Sequence, residues 1–128
     1  MDRSRSLTFT GRLRSVRCAI QGLAVMFRSQ HNAWVHAAAS AVVVGTSAYL
    51  GISRADWCWI ILAIVAVWTA EALNTALEFL TDVVAPEFHP IAGKAKDVAA
   101  GAVLISAIGS IIVGVLILGP HVLSRLAR

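Results

Sequence analysis

Three long apolar runs divide the chain, each bounded by charged residues. No Asp, Glu, Lys or Arg occurs between Arg28 and Arg54. The stretch AWVHAAASAVVVGTSAYLG inside that interval can cross a hydrocarbon core, which needs about 20 helical residues. The pattern predicts a first span over 32–50. A second, over 56–82, begins with WCWIILAIVAVWTA and continues into EALNTALEFLTD without a helix breaker. A third, over 96–119, is carried by AAGAVLISAIGSIIVGVLILG and is expected to close at Gly119-Pro120. Between the spans lie a short polar turn at Gly51 to Asp56 and a loop marked by Pro86 and Pro90.

Ahead of the first span the periodicity changes. Leu13, Val16, Ile20, Leu23 and Phe27 share a face about 80° wide at ~100° per residue, with Arg14, Arg17 and Arg28 beside it. This predicts a helix over 11–29 lying in the membrane interface; an amphipathic helix packed on the other helices is the open alternative. Residues 1–10 lack such periodicity and are expected to be a flexible tail, and residues 120–128 a C-terminal tail. The fold expected is an all-α integral membrane protein forming one domain over 11–119. The third span is rich in small residues, Gly101, Ser106, Gly109 and Ser110 among them, which favour close helix contact.

Composition agrees with the pattern. Of 128 residues, 58% are hydrophobic and 14% charged, too little polar surface to cover a soluble core of this size. The net charge of +4 is unevenly placed. Arg3, Arg5, Arg12, Arg14, Arg17 and Arg28 precede the first span, and Lys94 and Lys96 precede the third. Both ends therefore point to the cytoplasmic face of a bacterial inner membrane, and Arg125 and Arg128 fall opposite. Without aromatic interleaving or a DNA-binding fold, nucleic acid is not an expected partner. Cys18 and Cys58 have no paired spacing and read as free thiols. The long, Arg-rich lead does not resemble a cleaved signal, so it is expected to stay on the mature protein.

The second span keeps acids where a bilayer penalises them. With Glu71 at zero, Asn74, Thr75, Glu78 and Asp82 fall at about −60°, +40°, −20° and +20°. An acid at mid-span costs ~2.5–3.5 kcal/mol on insertion scales, so such residues face a protein interior or an aqueous cavity. A solvated extension of the helix beyond the membrane is the plain alternative, but Ala72, Leu73, Ala76, Leu77, Phe79 and Leu80 leave only a narrow polar side. Lys96, beside Asp97, can meet the carboxylates or an anionic ligand. Gly93-Lys94-Ala95 lacks the spacing and Ser/Thr of a phosphate-binding loop, so a nucleotide would be held differently. An ion-binding pore or assembly subunit, without catalysis, is also compatible with the acidic stripe.

The run Glu71-Ala-Leu-Asn74-Thr75-Ala-Leu-Glu78, the Asp82 after it and the run from Ala95-Lys96-Asp97 to Leu104 resemble the prokaryotic diacylglycerol kinase family. The resemblance covers about residues 11–118. It implies a homotrimer with sites at subunit contacts, transferring the γ-phosphoryl of Mg-ATP to a lipid hydroxyl. Glu71 would be the catalytic base and would contact substrate together with Asn74. Glu78 would be a ligand of Mg2+, and Asn74, Asp82, Lys96 and Asp97 would serve the nucleotide. The chain departs from the family at Gln30, eight residues after Gly22, where a second metal-binding glutamate is common. An amide oxygen there ligates a hard cation without adding charge, so weaker magnesium binding is expected. Asn32 to His36 and Pro86-Glu87-Phe88-His89-Pro90 look more like the undecaprenol kinase branch, favouring undecaprenol over diacylglycerol. His31 is read as a headgroup or solvent contact, and His36 as packing or a lumenal or subunit contact.

Overall fold

A computed structural model describes residues 9–127 and shows an all-helical chain. Its elements are α1 (Phe9–Ser29), α2 (His31–Leu50), α3 (Arg54–Val84) and α4 (Pro90–Leu126). Helices α2, α3 and α4 are each long and apolar enough to cross a membrane. At 1.5 Å per residue, α2 is about 30 Å long and matches a hydrocarbon core, whereas α3 is about 46 Å and α4 about 55 Å. The longer two must project beyond it.

The tail expected over 1–10 lies largely outside the described residues, but Phe9 and Thr10 are already helical. Phe9 stands four residues before Leu13 and extends the same apolar row. Only Gln30 separates α1 from α2; its extended backbone (φ −114°, ψ 115°) breaks the helix for one residue. Phe27 and Trp34 meet edge-on across that break at 5.5 Å, and Phe27 lies 5.2 Å from Trp68 of α3. Trp34 Nε1 donates to the Phe27 carbonyl at 3.0 Å and Trp68 Nε1 to Ser40 Oγ at 3.2 Å. This aromatic knot fixes where Gln30 stands relative to α3.

At the opposite end of α2, Gly51 takes the left-handed conformation (φ 64°) and its N–H reaches the carbonyls of Ser47 and Ala48. Ser53 and Asp56 then form a reciprocal capping box that starts α3. Asp56 thus belongs to the first turn of the helix and not to the turn before it, which is why α3 begins earlier than 56. Helix α4 outruns the expected span, 96–119, at both ends. Pro90 is tolerated in its first turn because the missing N–H has no intrahelical acceptor there. Pro120, expected to end the helix, is instead contained in it. Only the last turns follow this proline, and His121 Nδ1 lies 2.8 Å from the Ile117 carbonyl, adding a bond within the turn that Pro120 weakens.

The buried residues of α3 form one row. Ile60, Val67, Glu71, Asn74 and Thr75 fall within about 100° of each other at the helical turn. Its apolar half packs against α4, the most extensive pairing in the chain, where Ser110 Oγ donates to the Ala63 carbonyl at 2.9 Å. Toward the C-terminal half of α3 the same face turns polar without turning outward. Most other large apolar side chains are exposed, including Val42, Val83, Phe88 and Ile105, a surface that asks for lipid or protein cover.

Candidate functional site

The site is built where the start of α2 passes the polar half of α3. Glu71 is 1% exposed, and neither of its carboxylate oxygens has a hydrogen-bond partner among the described residues. His36, just over one turn into α2, places its Nε2 3.8 Å from Glu71 Oε2. Within the protomer His36, read from the sequence as packing or a lumenal or subunit contact, stands beside the acid. Sequence reasoning missed this pairing because it depends on how α2 and α3 align, and no spacing within the sequence reports that alignment.

About two turns further along α3, Glu78 is bracketed by two amides. Gln30 Nε2 donates to Glu78 Oε2 at 2.5 Å, and Asn74 Nδ2 donates to Glu78 Oε1 at 3.0 Å. Gln30 makes no side-chain cap on α2, so its amide is free to reach α3 across the break. Asn74 Oδ1 is buried and has no hydrogen-bond partner among the described residues. Thr75 Oγ1 and Thr81 Oγ1 return to the carbonyls of Glu71 and Glu78, at 2.9 and 2.8 Å, and stay within the helix.

The stripe therefore divides. Glu71, Asn74 and Thr75 are buried on the face that carries the core, which excludes for them a solvated extension. Asp82 is exposed and ion-paired with Lys96 of α4. That pair borders a polar cleft of about 250 Å³ that also includes Glu87, His89 and Gly93. Asp97 is exposed, and its side chain is brought to none of the others among the described residues. Cys18 and Cys58 are free, as their spacing predicted, and both are exposed.

Among the described residues no three His, Cys, Asp or Glu side chains converge as a metal cluster. What is present suits a cation that arrives with a phosphate ligand. Magnesium is usually held by one or two carboxylates together with substrate phosphates and water. Glu78 would supply one carboxylate, and the Gln30 and Asn74 amides would supply oxygens when turned over. The Asn74 oxygen is a buried atom left without a hydrogen-bond partner among the described residues.

Residues 17–118 match the family model described as prokaryotic diacylglycerol kinase. The chain belongs to the prokaryotic diacylglycerol kinase family. It is 40% identical over 93 residues to an undecaprenol kinase of Bacillus subtilis, an alignment covering 73% of this chain and 76% of that protein. It is 37% identical over 111 residues to a diacylglycerol kinase of Synechocystis, covering 86% of this chain and 63% of the relative. With a diacylglycerol kinase of Escherichia coli K12 it shares 28% over 111 residues, covering 80% and 89%. Of the residues that carried the resemblance to this family of lipid phosphotransferases, Glu71, Asn74 and Glu78 follow one another along α3, Asp82 pairs with Lys96 of α4, and Asp97 stands apart. Gln30, the departure from the family pattern, touches the one carboxylate that its glutamate counterpart would be expected to help.

Proposed function

We propose that this chain transfers the γ-phosphoryl of Mg-ATP to the hydroxyl of a membrane lipid, with undecaprenol favoured over diacylglycerol as acceptor. The observation that carries this reading is Glu71: a carboxylate buried on a helix long and apolar enough to cross a membrane, with neither oxygen hydrogen-bonded among the described residues, about two turns from a second carboxylate that is hydrogen-bonded. A buried acid without a protein partner is costly unless its partner is a ligand. The 40% identity to an undecaprenol kinase supports the acceptor preference.

Roles follow from position. Glu71 accepts the proton of the lipid hydroxyl as its oxygen bonds to the γ-phosphorus; the bond from that phosphorus to the β–γ bridging oxygen breaks, and ADP leaves. Glu78, with Gln30 and Asn74 on either side, holds the nucleotide's Mg2+, which when bound neutralises phosphate charge. Asn74 also positions the acceptor near Glu71. Lys96, steered by Asp82, places its ammonium toward phosphate oxygens, and Asp82 and Asp97 border the nucleotide. Phosphoryl transfer asks mainly for positioning and charge, which such a set supplies.

The reading places α1 in the interface with its arginines toward anionic headgroups, and the N-terminus and site on the cytoplasmic side of a bacterial inner membrane. It also takes the working unit to be a homotrimer with sites at subunit contacts. Purified protein in micelles, given labelled ATP and magnesium, is expected to label undecaprenol most strongly in a panel with diacylglycerol and ceramide. Glu71→Gln is expected to abolish the label. No label on any lipid would turn the reading toward a noncatalytic membrane subunit, and full activity of Glu71→Gln would remove the proposed base.

A further inference from the structure

His36 has no part in the roles above, yet it forms the one ion pair of Glu71 among the described residues. Its Nε2 is 3.8 Å from Glu71 Oε2, too far for a hydrogen bond between them, which needs about 2.7–3.2 Å. The separation suits two groups that share a third. A hydroxyl oxygen about 2.8 Å from each would close a triangle on them with normal hydrogen-bond lengths. Glu71 can only accept from such a hydroxyl when ionised, and His36 in its Nε2–H form can only donate to it. The two demands are complementary.

A second observation gives that hydroxyl a direction of approach. His36 also lines an apolar cavity of about 260 Å³ among α2, α3 and α4, walled by Val35, Val43, Ile60, Ile64 and Ala107 among others. Two serines in the wall are engaged within the protein: Ser40 Oγ accepts from Trp68 Nε1, and Ser110 Oγ donates to the Ala63 carbonyl. His36 is left as the polar side chain turned both to a hydrocarbon-lined space and to the buried acid. An alcohol on a long apolar chain has that same division of surface.

We infer that His36 is a second catalytic contact for the acceptor, donating from Nε2–H to the lipid hydroxyl oxygen while Glu71 accepts that hydroxyl's proton. The inference rests on the kinase reading above. In the reaction the imidazole keeps its proton; the hydroxyl proton passes to Glu71, the lipid oxygen bonds to the γ-phosphorus, and ADP departs. His36 holds the oxygen in line and fixes which lone pair faces the phosphorus.

The test is a pair of substitutions. In His36→Gln the amide reaches the position of Nε2 and still donates; in His36→Asn it stops short. Both are polar and both disturb packing, so a merely structural role would move them together. His36→Asn is expected to lower kcat/KM for the lipid alcohol about 10–100-fold, the range for losing one donor at a reacting oxygen. His36→Gln should stay within about tenfold of the unsubstituted protein. The KM for ATP should change less than twofold in either. Wild-type rates in His36→Asn, equal losses in both variants, or a parallel rise in the KM for ATP would overturn the role. If the unsubstituted protein phosphorylates no lipid in the panel, the kinase reading fails first and this inference with it.

Discussion

At the scale of single residues, the site turns on where charge is allowed to stay. Glu71 is buried with no hydrogen bond to its carboxylate among the described residues while Glu78 is held by Gln30 and Asn74, so the two acids should answer differently to the same amide substitution. Glu71→Gln removes a buried charge and keeps the shape; transfer should fall at least 100-fold, the low end of general-base losses, while the thermal midpoint holds or rises. Circular dichroism melts beside the transfer assay check both halves, and a large drop in midpoint would mean that Glu71 is a structural anchor. Gln30→Glu inverts the logic. It sets a second carboxylate against Glu78, which destabilises the chain when magnesium is chelated but gives a cation two charged ligands when it is present. The half-saturating magnesium concentration for transfer should fall about tenfold, or ~1.4 kcal/mol, and the melting temperature in chelator should drop. A magnesium titration unchanged by Gln30→Glu would place the cation elsewhere.

At the scale of elements, the α2–α3 connection is stiff for reasons that can be removed singly. Gly51 sits at φ 64°, where an added Cβ meets no atom within 4 Å but the backbone itself is strained for other residues. Ser53 and Asp56 satisfy each other's backbone groups across the first turn of α3. Ser53→Ala should cost about 1 kcal/mol, the usual loss for a serine cap, read as a lower unfolding midpoint in detergent with transfer unaffected. Equal midpoints would mean that the capping box contributes nothing measurable in the membrane-like medium. These elements also show what sequence reading can reach. The helices were legible because uninterrupted apolar runs and glycine, proline and charge at their ends are local signals. Asp56 and Pro120 misled at the boundaries because each residue's meaning depends on its helical position: an acid three residues after a serine is a cap, and a proline near a helix end need not stop it. The acidic row was legible from its ~100° geometry, and Gln30 from its departure from a family motif. His36 was not, because its partner lies 35 positions away on another helix.

At the scale of the whole molecule, the exposed apolar surface has to be divided between lipid and protein. A shallow groove between α3 and α4 is lined by Ala66, Thr69, Ala70, Ala99 and Ala102, with Leu73, Asn74 and Leu77 toward the C-terminal half of α3. Small side chains give nothing to a single chain that leaves the groove open, but they let a neighbouring helix approach closely, which is how helices associate in a bilayer. The same groove reaches the site through Asn74, as a trimer with sites at subunit contacts would require. Two outcomes follow from one measurement. In mild detergent the protein should run at three times the 13.6 kDa chain mass after correction for bound detergent. Ala66→Leu should shift it toward smaller species. Alanine and leucine are both strong helix formers, and leucine is the more apolar, so neither helix propensity nor membrane insertion is weakened. Ala66 is itself exposed in the protomer, so the added side chain meets a neighbouring copy before it meets its own core. A monomeric mass for the unsubstituted protein would remove the trimer. A trimer indifferent to Ala66→Leu would move its contact to another face, and loss of lipid phosphorylation together with the trimer would tie the site to that contact.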